Sequence, residues 1–158
     1  MTVFVVSPTL PHEFFVPGSP VSVNRYGTLP YKAWRADVHT YGTATASWAG
    51  SLVSGSCSVR IRYFRRLDRP KDVDNILKAI FDGLDGKTGP GPRATPRVLS
   101  DDRHVEHVVS QRTNMRFHTR FYGLRLEEYR AMLHANTAQA AVFVSVDFPP
   151  NHGRSVTR

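Results

Sequence analysis

Apolar and polar positions along the chain follow two periods, and the points where one gives way to the other mark its elements. From Ser56 to Phe64 the residues alternate, with Cys57, Val59, Ile61 and Tyr63 against Ser58, Arg60 and Arg62, which predicts a half-buried strand. Val105 to about Thr113 alternates again, with Val105, His107 and Val109 on one face, and Ala140 to Phe148 reads as a last strand. An earlier apolar run, Phe14-Phe15-Val16, stops at the turn Pro17-Gly18-Ser19-Pro20.

Between these runs the spacing becomes helical. Trp34, Val38, Tyr41 and Trp48 predict an amphipathic helix from Tyr31 to about Ser51, and Leu124 to His134 predicts another. The sharpest pattern starts at Asp74. At about 100° per residue, Ile76, Leu77, Ile80, Phe81 and Leu84 share one arc, while Asp74, Lys78 and Asp82 form a stripe on the opposite side. The Gly- and Pro-rich stretch from Gly86 to Pro96 predicts a loop with room to move.

With 158 residues and no internal repeat, the chain is expected to form one domain over residues 1–150, with 151–158 as a disordered polar tail. Such a length buries about two thirds of the unfolded surface without staples. The single Cys57 cannot form an internal disulfide and reads as a small core residue on a strand, in keeping with a reducing compartment. No run approaches the roughly 18–20 apolar residues of a membrane span, and the first residues lack a charged segment before their short apolar run. A soluble, cytoplasmic protein with no membrane partner is expected.

Charge changes the picture most. The chain carries 21 Lys+Arg against 13 Asp+Glu, a formal net charge of +8, so a polyanion, most often nucleic acid, is the expected partner. Yet aspartates crowd around one short helix: Asp72 and Asp74 before it, Asp101 and Asp102 after the loop. Two carboxylates about 4 Å apart repel by roughly 4 kcal/mol at an effective dielectric of about 20, so such a group needs a proton, a lysine or a divalent cation. One aspartate could cap the helix and another pair make a turn, but capping accounts for a single carboxylate.

Other motifs fall away on inspection. Gly86-Lys87-Thr88 resembles the end of a phosphate-binding loop, but Phe81 stands where that motif needs a glycine. Asp72-Val73-Asp74 lacks the apolar strand that precedes a phosphoaspartyl nucleophile. His104, His107 and His118 have no cysteine or regular third histidine to complete a zinc signature and read as surface residues. What remains is an oxygen-ligand site for a hard cation, most simply Mg2+, held by Asp72, Asp74 and Asp102 and completed by a substrate phosphate. Lys78, one turn into the helix, would offset charge on that phosphate.

The run Asp72-Val73-Asp74-Asn75-Ile76-Leu77-Lys78-Ala79-Ile80-Phe81-Asp82-Gly83-Leu84, followed by Asp101-Asp102-Arg103-His104-Val105, resembles the signature of the RusA family of Holliday junction resolvases. Pro20 with Asn24-Arg25-Tyr26 extends the likeness, which covers roughly residues 12 to 113. The resemblance implies a single compact α+β domain in which a mixed β-sheet packs with two or three helices. It also implies a homodimeric, Mg2+-dependent endonuclease, with Mn2+ as a possible substitute and no small-molecule cofactor, that nicks four-way DNA junctions symmetrically. By position, Asp72, Asp74 and Asp102 match the essential acids, Asp101 an accessory acid and Lys78 the catalytic lysine. The loop from Gly86 to Arg97 is longer than in compact members, and 116–139 looks like an insertion; a phage origin is in keeping with small members.

DNA contacts are expected from Asn24, Arg25, Lys32 and Arg35 near the N-terminus, from Arg69, Lys71 and Lys87 around the acids, and from Arg93, Arg97 and Arg103 in and after the loop. Tyr26, Tyr31 and Trp34 could stack on bases, with core packing the better reading for Trp34. The competing expectation is a non-catalytic, basic nucleic-acid-binding protein whose aspartates are structural.

Overall fold

Four strands form one mixed sheet: β1 (His12–Pro17), β2 (Cys57–Arg65), β3 (Val105–Asn114) and β4 (Ala140–Asp147), in the order β1-β4-β2-β3. The computed structural model describes residues 9–44, 52–67, 69–117 and 120–150. Trp48, His118 and the tail 151–158 lie outside them. β4 pairs antiparallel with both β1 and β2, and β2 pairs parallel with β3.

The central strand explains its own sequence. β4 is covered on both faces, which is why Ala140 to Val146 is an apolar run broken only by Ser145. Val142, Val144 and Val146 join Val59, Ile61 and Tyr63 of β2 and Phe14 and Val16 of β1 in the larger core cluster. Two helices cover that side: α1 (Leu29–Ala44), through Tyr31, Trp34 and Val38, and α2 (Leu77–Leu84), through Ala79, Ile80 and Leu84. The other side carries Phe64, Ala141 and Phe143, closed by Ala131 and Ala135 of α3 (Leu126–Ala138).

α3, which lies within the segment 116–139, thus forms the second layer on the sheet. Its Glu128 is 1% exposed and accepts from Arg60 Nη2 at 2.9 Å and Arg62 Nη1 at 2.8 Å. β2 keeps the half-buried alternation expected of it, and its polar face in addition meets a buried carboxylate. Breaking such a pair by removing one partner costs about 3–5 kcal/mol, so the two arginines hold α3 on the sheet.

α2 also differs from its periodicity. It begins at Leu77, and Asp74 and Asn75 form a turn in which Asn75 N donates to Asp74 Oδ1 at 2.9 Å. The N-cap is Ile76, without a side-chain cap, so neither Asp72 nor Asp74 caps this helix. The stripe expected to face away holds Asp82, only 2% exposed, because α1 lies over it. Gly83 allows that approach: a Cβ there would fall 2.7 Å from Arg35 O and from Val38 Cβ. Among the described residues no helix is long and apolar enough to cross a membrane.

Candidate metal centre and nucleic-acid face

The acids are brought together by the end of α2 and the loop that returns to it. Asp85 N donates to Phe81 O at 2.9 Å, continuing the helix, and Gly86 turns the chain at φ +77, where a Cβ would meet Ala94 O at 2.8 Å. The loop then closes on itself: Ala94 N donates to Gly86 O, while Val98 N and Leu99 N both donate to Leu84 O. Arg93 Nη1 and Arg97 Nε donate to the carbonyls of Ser100 and Leu99, so the loop expected to have room to move is pinned at both ends. Val53 pairs beside it, its N–H on Val98 O and its carbonyl on Ser100 N.

That closure delivers Asp101 and Asp102 to Asp85. One carboxylate oxygen from each lies within 4.8 Å of the others, a group of three that could hold a metal ion. Asp85 is fully buried, whereas the side chains of Asp101 and Asp102 are 14% and 23% exposed. Lys87 Nζ lies 2.8 Å from Asp85 Oδ2 and 3.2 Å from Asp102 Oδ2. Arg93 Nε is 3.2 Å from Asp85 Oδ1, and Arg103 grips Asp101 through Nε and Nη2. Three carboxylates therefore face three cations, which answers the repulsion that their proximity would create.

The titration of these groups follows from the contacts. The Arg103 side-chain and backbone hydrogen bonds hold the Asp101 carboxyl well below the usual carboxylate range. Burial pulls the Lys87 ammonium down, but Asp85 and Asp102 outweigh it and leave its pKa raised.

The expected ligand set is only partly gathered. Among the described residues Asp72 and Asp74 join no such group of three; they are exposed and line an open groove of about 660 Å³ with Ser110, Gln111 and Arg112 of β3. Ser110 Oγ donates to Val73 O at 2.7 Å and Arg112 Nη1 to Lys71 O at 3.0 Å, so the edge strand fixes the segment. Lys78 pairs with buried Asp82, which also accepts from Tyr31 Oη at 3.3 Å. Asp82 thus anchors Lys78, whose side chain stays 45% exposed.

Asp85 escaped the sequence reading because it follows directly on the apolar arc and precedes a glycine, as any turn residue does. A signal was present: a carboxylate at a helix C-terminus opposes the dipole, an odd place for an acid in a basic chain.

The expected DNA contacts divide. Asn24, Arg25, Lys32 and Arg69 are exposed, and Val23 N on Asn75 O at 2.8 Å ties the turn carrying Asn24 and Arg25 to the entrance of α2. Lys71 donates to Ser19 Oγ at 3.0 Å beside them. Arg35 is instead buried, with its guanidinium 5.9 Å from the centre of the Tyr31 ring, so it has little surface to offer a phosphate. Lys87 and Arg93 serve the acids, and Arg97 the loop. Tyr31 and Trp34 belong to the core, leaving Tyr26 as the exposed ring of the three. No protein-family model matches the chain, and no curated protein matches it.

Proposed function

We propose that the protein is a divalent-metal-dependent, structure-selective endodeoxyribonuclease that resolves four-way junctions by paired nicks, as its motif likeness to the RusA family suggests. The observation that carries this reading is the convergence of Asp85, Asp101 and Asp102 in a chain of net charge +8. Their oxygens would hold a hard cation, Mg2+ or Mn2+, which when bound supplies a more acidic water and neutralises charge on the leaving oxygen. On this reading Asp72 and Asp74, exposed in the groove beside β3, would add acids to the surface that meets DNA, next in sequence to the cations Arg69 and Lys71.

Lys87 has a particular part. It occupies the space between Asp85 and Asp102 that a cation would share, so it balances the carboxylates until metal and DNA arrive. Released from Asp102, its ammonium could turn to a phosphate oxygen, a positive charge in addition to that of Lys78. The surrounding arginines draw the DNA backbone in, with affinity that falls as salt rises.

A second reading is favoured by one observation: all three acids already have cationic partners, so the cluster could serve only to close the loop of a DNA-binding protein. Synthetic four-way junctions and linear duplex, each incubated with and without Mg2+, separate the two. Symmetric Mg2+-dependent nicks on the junction are expected; binding without nicking in any divalent metal would leave the second reading standing.

A further inference from the structure

We propose that the cavity between residues 19–25 and 69–71 is a subsite for one unstacked nucleotide of the bound DNA strand; this rests on the nuclease reading above. The cavity measures about 450 Å³, within the roughly 300–1,000 Å³ of sites that enclose small molecules. Its wall combines two chemistries. Arg25, Arg69 and Lys71 supply three cations, and among the described residues no acid lines it, while Pro20, Val21 and Pro70 supply an apolar surface. A nucleotide has the matching division, an anionic phosphate and a flat, weakly polar base.

The charge is available. Among the described residues neither Arg25 nor Arg69 has an ion-pair partner, and a guanidinium fork suits a phosphate oxygen pair. Lys71 Nζ on Ser19 Oγ joins the two walls, and Arg112 on Lys71 O braces them from the sheet. Position gives the cavity its meaning. Lys71 lines it and the next residue, Asp72, lines the acidic groove, so one strand crossing 69–74 would lay neighbouring nucleotides in the two.

Selectivity for branched DNA follows from energetics. Entry of a base into the cavity requires it to leave the stack, and that costs least where pairing is already broken, as at the centre of a junction. An intact duplex would bear the full cost. The cavity therefore favours a branch point without reading any base edge.

The test uses four-way junctions carrying 2-aminopurine either at the branch point or within an arm, bound to the whole protein in EDTA so that no strand is cut. Among the described residues no aromatic ring lines the cavity, so an inserted 2-aminopurine would lose its stacking neighbours and brighten. A several-fold rise at the branch point and none within the arm is expected. Arg25→Ala/Arg69→Ala, both at exposed positions, should abolish the rise and weaken junction binding roughly tenfold or more, and Arg69→Glu should do the same. No rise with the bound wild type, or a rise that survives in both variants at saturation, would overturn the subsite. Failure is separable from that of the nuclease reading: nicking without the rise removes the subsite alone, and the rise without nicking removes the nuclease alone.

Discussion

Lys87 Nζ lies 2.8 Å from Oδ2 of Asp85, a carboxylate that solvent does not reach. A buried charge of this kind is tolerated because a cation of the same chain meets it, and a neighbour, Arg93, shares the task. Lys87→Met would leave Asp85 to Arg93 alone. A loss of about 2–3 kcal/mol is expected, below the roughly 3–5 kcal/mol of a fully orphaned buried charge because Arg93 remains and Lys87 is partly solvated. Urea denaturation measures it, and millimolar Mg2+ should raise the midpoint of the variant more than that of the wild type. Lys87→Met/Asp85→Leu should be less destabilised than Lys87→Met, since the unpaired charge is gone.

The crossing of α1 over α2 depends on a missing side chain. Gly83→Ala would push a methyl group to 2.7 Å from Arg35 O and Val38 Cβ, so the two helices must separate. Such overpacking costs about 1–3 kcal/mol, and α2 carries Lys78 and leads into Asp85. A lowered thermal midpoint together with weakened metal binding is expected.

His12 gives the fold a dependence on pH. It is 2% exposed, its Nε2 lies 2.8 Å from Gly42 O, and burial holds its pKa below the ordinary 6.5 despite that hydrogen bond. The folded state therefore binds the proton less readily than the unfolded chain. Its contribution is complete above about pH 6.5 and is lost as pH falls through the lower folded value. The urea midpoint should drop between about pH 7 and 5, and His12→Gln should flatten that drop.

Cys57 is fully buried on β2, and burial, with Glu106 nearby, pushes its thiol up to about 11. Iodoacetamide at mildly alkaline pH should leave the native protein unmodified and label it in urea. Labelling of the native state would contradict the packing of β2 against β3.

The architecture was legible where local period and burial agree. Alternation in Cys57–Tyr63 and the arc Ile76, Ile80, Leu84 each name a core face, and Trp34 and Cys57 lie where that logic puts them. Long-range pairing was not legible. Arg60 and Arg62 look solvent-facing because nothing in their own run announces Glu128, 66 or more residues away. Asp82 looks exposed because only the approach of α1 at Gly83 covers it. The site shows the same division: Asp101 and Asp102 stood out as a pair, while Asp85 joins them through a loop closure that depends on Gly86, Arg93 and Arg97 together.

The central claim is that this acidic group performs metal-dependent strand cleavage, and Asp102→Asn tests it most directly. Asp102 is shared by the motif likeness and by the observed carboxylate group, and its partly exposed position makes the substitution gentle on the fold. With a four-way junction and Mg2+, the wild type should give paired nicks, while Asp102→Asn should give none and still bind the junction at least as tightly, one negative charge having been removed from the proposed DNA face. Cleavage by Asp102→Asn at the wild-type rate would contradict the account.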